Sequence, residues 1–190
     1  MNAQISVSAY YGAGTATDSS NNQQINTFGN GTLYSTPKIT GLFSTTGAEV
    51  MFTPHFGVGG EFNWRDSQGG YAGLNYRPLV YDFNGIWQPT GGHGRIVPEI
   101  QAGLGGMDLK YFLNSSSCNQ FTGCSTNSQY LESANRVQIH MSAAVRLYVT
   151  PHIFLRPAVD AHWVNDFSQF GSNFVPEYSL GVGYSFRGRQ

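Results

Sequence analysis

"YVTPHIFLRPAVDAHW", residues 148–163, reads cleanly in steps of two. Ile153, Leu155, Pro157, Val159, Ala161 and Trp163 fall on one face. Phe154, Arg156, Ala158, Asp160 and His162 fall on the other. Side chains of an extended strand alternate between two sides, so this is a strand with an apolar stripe backed by an ionisable one. An earlier stretch, "FTPHFGVGGEFNW" at 52–64, has the same Thr-Pro-His opening and the same closing Trp. Proline cannot donate to a strand ladder, so each Thr-Pro-His reads as a short turn entering a strand.

The same period extends over nearly the whole chain, and helical spacing is almost absent. The alternation predicts about eight strands: 4–14, 39–53, 56–65, 77–87, 95–109, 136–149, the opening stretch and 177–187. Their connections alternate in length. Residues 15–37, 66–76, 110–135 and 165–176 are longer and polar. Residues 53–55, 88–94 and 150–152 are shorter. All the short turns therefore fall at one end, as in barrels with short periplasmic turns and longer extracellular loops.

Phase carries the main argument. Glu49, Glu61, Asp82, Glu99, Asp160 and Glu177 all take the phase opposite the apolar stripe, and Arg95, Arg136, Arg146, Arg156, His140 and His162 share it. A soluble barrel or sandwich would turn the apolar stripe inward, and a membrane barrel would turn it to lipid. Three features favour the membrane. The polar face carries Gly, Ser, Ala, Gln and Asn with isolated charges and no strand Lys, unlike a solvated strand face. Aromatics gather near strand ends: Tyr10, Tyr11, Trp64, Tyr76 and Trp163 toward the long loops, and Phe52, Phe56, Trp87, Tyr184 and Phe186 toward the short turns, like two interfacial girdles. The strands are also long enough to cross a bilayer at a tilt. The expected fold is all-β: one domain over residues 1–190, a closed antiparallel up-and-down transmembrane β-barrel.

Composition agrees. Only 11% of the 190 residues are charged, against about 25% in average soluble domains, with 24 Gly and 14% aromatics. Net charge is −1 and no Lys/Arg cluster exists, which argues against nucleic-acid binding. Cys118 and Cys124, close together in a polar loop, read as a local disulfide formed in an oxidising compartment. The start "MNAQ" reads as a mature N-terminus with an added Met.

The C-terminal stretch "PEYSLGVGYSF" alternates aromatics and aliphatics with Gly and closes on Phe186. It resembles the last strand of small bacterial outer-membrane β-barrels of the OmpA-like transmembrane type, and the resemblance covers nearly all of the chain. Family chains usually end at that aromatic; here "RGRQ" follows. The resemblance implies a bacterial outer-membrane location, contact with outer-membrane lipid, and recognition of the last strand by the barrel-assembly machinery.

An eight-stranded barrel is filled by its own side chains. The twelve inward ionisable residues are therefore expected to form a mutually neutralising lumen network, with a structural or surface-interaction role for the protein. Loops 15–37 and 110–135 would carry any extracellular ligand or envelope partner. The alternatives are a small pore, a lipid-modifying enzyme using His140 and Ser142, and a soluble lipocalin-like carrier. No cofactor, metal site or catalytic group is expected. Pro98 and Pro157 predict bulges, and Ser44 and Thr46 predict a phase shift in the second strand or a stretch standing above the bilayer.

Overall fold

A computed structural model describes residues 5–17, 24–26, 29–119, 123–165 and 172–186. The "MNAQ" start, the "RGRQ" end and parts of the expected loops 15–37, 110–135 and 165–176 lie outside the described residues. The described strands are β1 (Ser6–Ala16), β2 (Gln24–Ile25), β3 (Tyr34–Ser35), β4 (Gly41–Met51), β5 (Phe56–Arg65), β6 (Gly69–Tyr71), β7 (Leu74–Trp87), β8 (Ile96–Asn119), β9 (Gly123–Tyr148), β10 (Ile153–Val164) and β11 (Phe174–Ser185).

Eight of them form a ring. Antiparallel pairing runs β5-β4-β1-β11-β10-β9-β8-β7 and returns through β5–β7. Each strand pairs with its sequence neighbours, and β1 pairs with β11, so the architecture is up-and-down. β2 and β3 pair as a small separate sheet, and β6 adds to β7.

The two Thr-Pro-His segments fold as the same turn. Thr53 Oγ1 accepts from the backbone N–H of His55 and Phe56, and Thr150 Oγ1 from those of His152 and Ile153. Nδ1 of His55 lies 2.9 Å from the carbonyl of Gln88, and Nδ1 of His152 lies 2.9 Å from that of Ser185. Each histidine carbonyl accepts in return from the same residue's N–H. Each turn is thereby stapled to the adjacent strand end.

Several local expectations are corrected. Residues 110–135 do not form an irregular loop: β8 and β9 continue as a two-stranded ribbon up to the Asn119↔Gly123 pair. The paired cysteines sit opposite each other near its tip and form the Cys118–Cys124 disulfide. One bulge, between Tyr111 and Phe112, marks the base of the ribbon. Residues 66–76 form a tight hairpin on Ala72 and Gly73, both with positive φ, the requirement of a type I′ turn.

Neither expected proline bulge is present. Pro98 lies beyond the last β7–β8 pair, Trp87↔Ile100, so no ladder bond with β7 is lost there. Pro157 keeps its pair with Leu180, and only the ladder toward β9 is interrupted, with no change of register. β4 keeps one phase throughout. The outward hydroxyls of Ser44 and Thr46 are satisfied locally, Ser44 by donating to Asp66 at 2.8 Å and Thr46 by donating to the Tyr10 carbonyl at 3.2 Å.

Thr53→Ala and Thr150→Ala should each lower stability by roughly 0.5–1.5 kcal/mol, because each loses the hydroxyl that accepts from two turn N–H groups. Reversible urea unfolding in lipid vesicles measures this. Unchanged midpoints would mean that the hydroxyls do not hold the turns.

Candidate functional site: the barrel interior

The outward face is apolar on every strand of the ring. Val7, Leu42, Val58, Phe62, Phe83, Ile100, Leu104, Val137, Ile139, Val159, Leu180 and Val182 are all exposed, with Phe83 at 69% and Val137 at 67%. Trp87, Trp163, Tyr184 and Phe186 also face outward, and Trp64 is half-exposed. Trp163 packs on Phe174, and Tyr184 on His152 and Phe186. Tyr10 and Tyr76, expected in the outer girdle, are instead buried inside. Both take the inward phase of their strands: Tyr76 lies near the loop end, while Tyr10 sits deeper, level with Gly47 and Gly183.

The interior holds the ionisable residues in two groups. Nearer the short turns, the Arg146 guanidinium contacts Glu49 and lies 2.6 Å from Glu99. Arg156 lies 3.3 Å from Glu99 and 3.6 Å from Glu61, with its guanidinium 4.4 Å above the Tyr10 ring. The Tyr10 hydroxyl donates to Glu61. Gln101 donates to both Glu49 and Glu99, and Gln88, a turn residue, folds inward to donate to Glu99. Nearer the long loops lie His140, His162, Asp82, Asp160 and Glu177, every one buried.

Inward glycines give this filling its room. The Tyr10 ring lies where a Cβ on Gly47 would stand, and the Phe154 ring where one on Gly183 would. Apolar side chains lie toward both ends. Met51, Ile86, Val97 and Phe154 are buried at the short-turn end, while Phe43, Tyr76, Met107 and Leu109 belong to a cluster at the loop end. The inward phase agrees with the alternation, but this second cluster is apolar where the alternation implies polar residues. Its signal was available: Phe43, Val80, Met107 and Leu109 are apolar residues in the polar phase.

Two of the twelve expected lumen residues are elsewhere. Arg95 is exposed in the turn before β8, because the strand starts one residue later and leaves the side chain at the rim. Arg136 is half-buried toward the ribbon, paired in register with Met107. The interior consequently contains six buried acids against two buried arginines and two histidines. The expected neutralisation by four arginines does not occur.

His140 and Ser142 are both buried inside. The His140 nitrogens face Asn84 Oδ1 at 3.0 Å and Asp160 Oδ1 at 3.4 Å, and neither meets Ser142.

Arg146→Ala should cost about 3–5 kcal/mol, since it strands the Glu49 and Glu99 carboxylates in a low-dielectric interior. Arg95→Ala should stay within about 0.5 kcal/mol. Equal unfolding midpoints for the two variants would contradict the interior assignment of Arg146.

No protein-family model matches the chain, and no curated protein matches its sequence. Among solved structures it is similar to a major outer membrane protein of Thermus thermophilus, with 10% identity, 96% of this chain and 99% of that one covered, and a TM-score of 0.61. It is also similar to OprG of Pseudomonas aeruginosa, with 15% identity, 95% of each chain covered and a TM-score of 0.58. Ail, the attachment invasion locus protein of Yersinia pestis solved with the heparin analogue sucrose octasulfate, gives 14% identity, 96% and 97% coverage, and a TM-score of 0.51. The eight-stranded up-and-down ring, shared end to end with these proteins, is the fold of small outer-membrane β-barrels.

Proposed function

We propose that the chain is an integral outer-membrane barrel whose lumen is plugged by its own charge network, with a structural or surface-interaction role. The carrying observation is the inversion of the two faces: large apolar side chains are exposed all around the ring, and acids and arginines are buried within it. An exterior of that kind is stable only in an apolar solvent.

Contacts across the interior support a plug rather than a pore. Arg146 and Arg156 bridge acids from β4, β5 and β8, and apolar residues lie toward both ends. The engaged nitrogens of His140, and its complete burial inside the ring, weigh against lipid hydrolysis through Ser142. The last strand, β11, is the segment offered to the barrel-assembly machinery. The disulfide-tipped ribbon and loop 15–37 are the surfaces offered to an extracellular ligand or envelope protein, a reading in keeping with the ligand-bound state of Ail.

Leu104→Arg, at an exposed belt position opposite Phe83, should destabilise the barrel by about 2–4 kcal/mol in vesicles. Wild-type protein in planar bilayers should give no steady conductance. A monodisperse, folded protein without detergent would overturn the membrane reading, and stable ohmic channels would overturn the plug.

A further inference from the structure

We propose that Asp82, His140 and His162 form a divalent-cation site inside the barrel, with two imidazole nitrogens and one carboxylate oxygen as ligands. The three donors lie within 4.8 Å of one another, and all three residues are buried. His140 and His162 are cross-strand partners whose rings lie parallel, centroids 4.7 Å apart.

The cluster has unmet polar capacity in a fully buried place. Asp82 Oδ2 and both ring nitrogens of His162 have no hydrogen-bond partner among the described residues. His162 Nδ1 and Asp82 Oδ2 face each other at 3.8 Å. Orphaned buried groups of this kind are destabilising unless something satisfies them. An ion about 2.0–2.2 Å from each donor satisfies them together after a modest inward movement of the rings.

Surrounding groups match what metal-bound histidines need. A ligating imidazole commonly turns its other nitrogen toward a carboxylate. His140 Nε2 faces Asp160 at 3.4 Å, and His162 Nε2 faces Glu177 at 3.8 Å. Gln138 donates to Asp82 Oδ1 at 2.7 Å and so leaves Oδ2 directed to the cluster. Ligation through His140 Nδ1 displaces its contact with Asn84 and uses the neutral ring. The excess of acids over arginines inside the barrel also favours a cation. Two imidazoles and a carboxylate suit zinc and other first-row divalent ions over magnesium or calcium.

The test uses untagged full-length protein refolded into detergent with Zn(II), desalted over a weak chelator and assayed for metal by mass spectrometry. We expect roughly one zinc per chain. His162→Gln and Asp82→Asn should each retain at least about tenfold less. A His55→Gln/His93→Gln/His152→Gln variant leaves only the two interior histidines and should retain zinc as the wild type does. Should the interior variants not fold, Co(II) added to that turn variant decides the matter, through the visible bands of a nitrogen-ligated ion. Folded wild type without zinc overturns the proposal, as does equal retention in His162→Gln or Asp82→Asn, or loss of metal in the turn variant.

Discussion

Closing eight strands into a ring satisfies the backbone sideways, strand to strand, and leaves almost no volume inside. The rest of the structure follows from that constraint. Every inward side chain must fit beside its counterparts from the opposite wall, which is why large residues such as Tyr10 and Phe154 lie over glycines. Every inward polar atom must find a partner among its neighbours, because bulk water has little room there. The arginine-centred group shows the constraint met: Gln88, Gln101, Ser8 and Tyr10 all contribute to it. The histidine group meets it less completely, and its open valences stand out for that reason.

The ring was legible in the sequence because alternation is a backbone property. One face of β10 is apolar and the other ionisable whatever surrounds it, and the same is true of the other strands. Which way the faces pointed was also legible, from the absence of lysine in the strands expected from alternation and from the aromatic residues at strand ends. The interior pairing was not. Arg95 and Arg146 carry the same phase in the sequence, and only the one-residue difference in where β8 begins puts Arg95 at the rim. Likewise, Tyr76 and Trp64 look alike as aromatics near the loops, and phase separates them.

The long segment 110–135 was unreadable for a different reason. Its Ser, Asn and Gln residues have weak strand preference and no buried face, so no apolar stripe marks them as paired. Pairing there continues from the barrel strands below. Pro98 and Pro157 show the converse. A proline disrupts a strand only if its missing N–H would have pointed at a partner already in place, and for Pro98 no β7 partner stood there.

A polar ribbon with no buried face has little to prevent its strands from sliding past each other by two residues, since such a slip keeps every side chain on its own side. The Tyr111/Phe112 bulge already resets the alignment once. A covalent tie between directly opposed Cys118 and Cys124 indexes the two strands at the far end. The ribbon is therefore fixed like a ruler pinned at both ends, and the side chains along it keep one invariant order relative to the barrel below.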